Sequence, residues 1–266
     1  MKQILLAPMV LTGLLAASQA QAEPASLSTR TGNELGLSLS SYSYKEPGVM
    51  SLRGSQIGFD LQTTKVLQEA QFVRGDLRIA GGQVDYDSYD TGSSSGEPNV
   101  YIEIRGLLGH DFSINGSIFA LYTGLGYRNL YHDGRGVSST GHAGYRRESQ
   151  YLYLPLGVIH RMALSGQARL VSTLEYDHLL TGKQISKLSD TGLGFSNVTN
   201  TQSRGYGLKG SIQYETGPWA VGPYVHYWDI GQSDIVAIYR YGALDGYGWE
   251  PKNNTVEFGL KSSWKF

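Results

Sequence analysis

Hydrophobic and polar residues alternate along much of this chain. Ile57, Phe59 and Leu61 are interleaved with Gly58, Asp60 and Gln62, and Val100, Ile102 and Ile104 with Tyr101, Glu103 and Arg105. Leu152, Leu154, Leu156 and Val158 oppose Tyr151, Tyr153, Pro155 and Gly157; Leu208, Ile212 and Tyr214 oppose Lys209, Ser211 and Gln213. A period of two sends successive side chains to opposite faces, so each run reads as a strand with one apolar and one polar face. Ten such strands are predicted, over 33–45, 54–65, 72–86, 99–111, 117–131, 149–163, 167–180, 202–215, 218–231 and 253–266. Each reaches the roughly 9–11 residues that a tilted strand needs to cross a bilayer.

The connections alternate in length. Short ones fall at 67–71, 111–116, 163–166 and 215–218, and long ones are expected at 46–53, 87–98, 132–148, 181–201 and 232–252. Short turns on one side and long loops on the other describe an all-β, ten-stranded antiparallel transmembrane barrel, with the turns periplasmic and the loops extracellular. A soluble sandwich or lipocalin-like barrel would alternate too, with its apolar face inward. Strand number, connection lengths and charges of both signs on the polar face favour the membrane. The closing stretch "NNTVEFGLKSSWKF" agrees. Val256, Phe258, Leu260, Trp264 and Phe266 share one face, and the last strand of a barrel must pair with the first to remove both free edges.

Composition adds the compartment. Lys2, the short apolar run Ile4–Leu15 and the small-x-small exit Ala20-Gln21-Ala22 describe a secretory signal peptide over 1–22. The barrel domain would then be 23–266, in a bacterial outer membrane. The chain has no cysteine, which excludes disulfide and thiol chemistry. A net charge of −1 offers no basic excess for nucleic acid. The expected partners are outer-membrane lipids, lipopolysaccharide and the barrel-assembly machinery; no surface ligand and no cofactor is indicated.

Candidate chemistry lies on the polar face. Asp60, Asp76, Glu103, Glu175 and Glu257 are placed near mid-strand, against Arg78, Arg105, Arg169, Lys209 and Lys261. Buried charges persist only when paired, and this set is balanced. It therefore reads as a lumen network filling a narrow barrel, whereas a selective pore usually shows an excess of one sign. Asp85 and Asp87 stand at alternate positions atop the third strand and so point the same way. Crowded carboxylates can activate water or bind a cation, but the Ser93-Ser94-Ser95-Gly96 that follows reads as an ordinary strand exit. The six histidines lack metal-ligand spacing, although His132 and His142 share the third long loop. Tyr145-Arg146-Arg147 could meet lipopolysaccharide phosphates, or be a solvated loop.

Val84-Asp85-Tyr86-Asp87-Ser88-Tyr89-Asp90 resembles the second-loop stretch of the omptins, ten-stranded outer-membrane proteases. Omptins pair two aspartates there with an Asp–His pair on the fourth long loop. Matched from Tyr176 onward, those two places fall on Ser186 and Leu188; His178 lies nearby behind Asp177, but strand neighbours face opposite ways. The resemblance thus implies the omptin architecture without its general base. "SYKEPGVMSLRG", "VYIEIRGLLGHDF" and "EPKNNTVEFGLK" also resemble small proteobacterial outer-membrane β-barrel proteins of unassigned function. The expected role is a structural or surface-interaction barrel, not an enzyme. The alternatives are a small porin, or an omptin-like protease using Asp85 and Asp87. One further expectation concerns closure: Glu46-Pro47 and Glu250-Pro251 should meet beside the seam, with Glu46–Lys252 or Glu250–Lys45 pairing across it.

Overall fold

The computed structural model describes residues 27–266 apart from Glu69 and Ser165, so the signal-peptide expectation for 1–22 lies outside the described residues. Its staves are β1 (Gly32–Glu46), β2 (Met50–Val66), β3 (Gln71–Ser88), β4 (Gly92–Ile114), β5 (Ser117–Asp133), β6 (Arg146–Ala163) and β7 (Arg169–Ser186). After these come β8 (Val198–Gln202), β9 (Gly205–Thr216), β10 (Trp219–Ile230), the hairpin β11 (Val236–Arg240) with β12 (Ala243–Gly248), and β13 (Asn253–Lys265). β8 and β9 both pair with β7 and form one interrupted stave. Successive staves pair antiparallel, β6 continues onto β7, and β13 pairs with both β10 and β1. The sheet is therefore a closed barrel of ten staves, with no free edge.

The outer wall is apolar. Leu37, Leu39, Ile57, Ile104, Leu121, Leu125, Leu174, Phe258 and Leu260 are all more than half exposed. A belt of this kind is stable only against hydrocarbon. At its terminus end, Trp264 and Phe266 stack with ring centres 4.7 Å apart, as an interfacial girdle requires. Leu152, Leu154 and Leu156 lie on this outer face while Tyr151 and Tyr153 are buried inside, as alternation predicts.

The terminus end is closed by short turns. Asn115 (φ 49°) and Gly116 (φ 78°) link β4 to β5 in the doubly left-handed conformation that a two-residue hairpin needs. The far rim departs from expectation. The long loops predicted at 46–53 and 87–98 are tight turns, because β1 runs to Glu46 and β2 starts at Met50, while β3 runs to Ser88 and β4 starts at Gly92. Above the lipid belt the outward face turns polar, at Ser41, Lys45, Arg53, Asp85 and Asp87, while Tyr42, Tyr44, Met50, Leu52 and Val84 pack together inside. The apolar outer stripe stops there while the backbone ladder continues, as in Met50↔Ser88 and Ser88↔Gly92. True loops remain at 134–145, 187–197 and 231–252, the last holding the β11–β12 hairpin.

Candidate functional site

The inward face carries the predicted charges, joined across the lumen. Arg78 on β3 reaches Asp60 on β2 at 2.7 Å and Glu257 on β13 at 2.6 Å. It also donates to the hydroxyls of Tyr101 (2.6 Å), Tyr224 (2.8 Å) and Ser38 (3.2 Å). Glu257 accepts in turn from Tyr101, Tyr224 and Ser40. Gly58 makes room for this node, since a Cβ there would lie 2.9 Å from a guanidinium nitrogen of Arg78. A second node joins Arg105 to Asp76 and Glu175, each at 2.6 Å. Lys209 on β9 spans to Glu103 on β4 at 2.7 Å, and to Glu175 and Asp177 at 3.3 Å. Lys261 stands 3.5 Å from Glu34 and 3.9 Å from Asp60.

Nine of the ten predicted network residues thus meet in two linked nodes at mid-lumen. Arg169 does not. It is the first residue of β7 and pairs with Glu215 near the terminus end, because the turn before it ends later than the alternation suggests. Sequence reasoning missed Arg74, which joins Asp76 at 3.1 Å, and Arg128, which lies 3.6 Å over the Tyr101 ring. Asp177 was set aside as a strand neighbour of His178, yet it is fully buried against Lys209.

The weak catalytic candidates do not converge on the lumen. Asp85 and Asp87 point the same way, but outward, and Asp85 caps the backbone N–H of Gly96 at 3.1 Å. A bulge between Val84 and Tyr86 in the β3–β4 ladder accompanies them. Asp177 faces in, whereas His178 faces out beside Tyr176. Ser186 is buried at the end of β7, and Leu188 opens a short 3-10 helix.

A different cluster occupies the inside of the far rim. Glu97 and His132 form a buried pair at 2.6 Å, and Ser94 donates to the other Glu97 oxygen. Arg147 binds Glu46 at 2.5 Å and also contacts Glu250, and Tyr44 donates to Glu46. The two Glu-Pro corners therefore do meet, but the expected Glu46–Lys252 and Glu250–Lys45 pairs are absent. Both carboxylates turn inward to one guanidinium, where desolvation makes the shared contact stronger than a solvated pair, and Lys252 takes Asp229 at 3.2 Å. Arg147 is thus committed to the inside of the rim. Its neighbour Arg146 grips Asp190 of the next loop at 2.7 and 2.8 Å, and that contact holds the Asp190 carboxyl down at about 2. Glu46, Glu97, His132 and Arg147 are part of the wall of a cavity of about 660 Å³, lined from β1–β6 and the 134–145 loop. Among the described residues no three His, Asp or Glu side chains gather as a metal site; His142 bonds Thr140 instead.

No protein-family model and no curated protein matches this chain. Among solved structures it is similar to the outer membrane protease OmpT from Escherichia coli, with a TM-score of 0.60, 11% identity, and coverage of 88% of this chain and 97% of that one. It is also similar to the translocator domain of the autotransporter NalP from Neisseria meningitidis (TM-score 0.42, 11% identity, 90% of each chain). A third likeness is to an outer membrane channel from Pseudomonas putida F1 (TM-score 0.41, 9% identity, 90% of this chain and 97% of that one). The fold is that of the bacterial outer-membrane β-barrels.

Proposed function

We propose that this chain is a closed, non-proteolytic barrel of the bacterial outer membrane, whose lumen acts as an internal strut and whose far rim is the working surface. The observation that carries this is the Arg78 node. One side chain from β3 engages β1, β2, β4, β10 and β13 at once, which puts charged and phenolic groups across the middle of the bore. Each charge there is matched by an opposite one, so the node has little tendency to part and admit an ion. The outward aim of Asp85 and Asp87, and the opposite faces of Asp177 and His178, speak against a water-activating carboxylate–imidazole centre of the omptin arrangement.

Planar-bilayer recording on the refolded chain tests the closed lumen: no discrete conductance step is expected. Regular ohmic steps would establish the porin alternative. Incubation with basic peptides and lipopolysaccharide tests the second half. Cleavage that disappears in Asp85→Asn or Asp87→Asn would restore the protease alternative.

A further inference from the structure

We infer that the far-rim cavity is a binding site for an organic ammonium ion carrying an apolar body. Its charge is one-sided. Glu46, Asp90, Glu97 and Asp133 line it and Glu250 stands directly behind, against only Arg135 and Arg147. Arg135 is already held by Asp133 at 2.6 Å. Arg147 is shared between Glu46 and Glu250, which leaves one carboxylate charge uncompensated. Low-dielectric walls focus such an excess into the space they enclose, and a cation entering it is favoured.

His132 and Glu97 complete the acidic side of the wall. The His132 side chain is 6% exposed and forms part of the cavity lining. Its Nε2 lies 2.6 Å from one Glu97 oxygen and Ser94 donates to the other, so this carboxylate is held in place at the wall. An ammonium head brings several donors and a positive charge, which suits carboxylates fixed in this way.

The rest of the wall is apolar or aromatic. Met50, Val49, Pro98 and Val137 line it, with the rings of Tyr86 and Tyr145. Tyr86 is fixed by a 2.6 Å hydrogen bond to Thr91, so the pocket is partly preformed. At about 660 Å³ the cavity lies within the range of small-molecule sites, roughly 300–1,000 Å³. Its walls offer little to a compact inorganic cation and much to an aryl- or alkylamine.

This assignment rests on the far rim being the working surface. Lumen closure is tested by conductance on the same preparation, so either can fail alone. The direct experiment is calorimetric titration of the refolded full chain in zwitterionic detergent, with micelle heats subtracted. The probes are phenethylammonium, its neutral match 2-phenylethanol and the anion phenylacetate. The amine should bind at least about tenfold more tightly than the alcohol, and phenylacetate should give no heat. Glu97→Gln and Asp90→Asn should each weaken the amine several-fold and leave the alcohol unchanged. Asp90 is exposed, so its variant remains informative if Glu97→Gln fails to give a heat-modifiable barrel. Equal binding of amine and alcohol, absence of amine binding, or an amine affinity indifferent to Asp90→Asn would overturn the assignment.

Discussion

Arg78→Met tests whether the lumen network is dry. The substitution keeps most of the side-chain volume and removes the charge. It deletes ion pairs of 2.7 Å to Asp60 and 2.6 Å to Glu257, and three hydrogen bonds to hydroxyls. Glu257, 1% exposed, keeps Tyr101, Tyr224 and Ser40 but loses the only cation that the described residues place within hydrogen-bonding reach; His226 is 3.9 Å away. Breaking a buried pair from one side costs roughly 3–5 kcal/mol, because the other charge is stranded. Asp60 suffers less, since Lys261 stands 3.9 Å off. Adding Glu257→Gln removes the stranded charge and should return about 2 kcal/mol of that loss, a coupling of the size that contacting residues show. Urea unfolding in lipid vesicles, scored by heat-modifiable gel mobility, measures both variants. If the single variant loses under about 1 kcal/mol and the double is no better, water penetrates the lumen and the reasoning from buried charge is wrong.

Arg147→Leu should destabilise the barrel by about 3–5 kcal/mol, whereas Glu250→Gln should cost under about 1 kcal/mol, because only the first strands two carboxylates; urea midpoints separate them. Gly157→Ala should cost roughly 1–3 kcal/mol, since its Cβ would lie 2.1 Å from the Tyr122 ring and drive that hydroxyl off Glu175. Gly75→Ala, with nothing within 4 Å, is the matched control and should be near neutral in the same titration. The Asp190 carboxyl, held at about 2 by Arg146, lies below its ordinary value, so its contact is complete above about pH 4 and is lost as pH falls through 2. Pepsin should therefore begin to cut the 187–197 loop as pH drops from 4 to 2, and should cut Asp190→Asn already at pH 4.

The faces of the staves were legible because a membrane barrel is the simplest two-faced object: every second residue meets lipid, and lipid tolerates little but hydrocarbon. That rule placed Asp60, Arg78, Glu103, Arg105, Lys209 and Glu257 inside before any pairing was known. It could not say which charges meet, because partners such as Arg78 and Glu257 are 179 positions apart and touch only through barrel closure. Nor could it see the extensions of β1–β4 above the belt, where lipid no longer imposes the pattern. For the same reason Glu97, His132 and Arg147 were passed over as a site. Each sits on a rim where the apolar outward stripe that marks the staves is gone, and their grouping depends on strand height. Asp85 and Asp87 show the converse: a suggestive spacing whose parity sends both side chains outward.

The Arg147 clamp bears on how the chain selects one closed form. A slip of one residue between β1 and β13 would turn every side chain of a stave to the wrong face, and the lipid belt forbids it. A slip of two keeps all faces correct, so hydrophobicity is blind to it. It would still displace one partner by about 7 Å along the seam. Glu46 ends the first stave, and Glu250 stands just ahead of the last. Their carboxylates reach the same guanidinium only in the native register, with Leu39 opposite Leu260. The clamp therefore discriminates among the alignments that the membrane itself accepts, which makes it a selector of closure during assembly as well as a contact in the finished barrel.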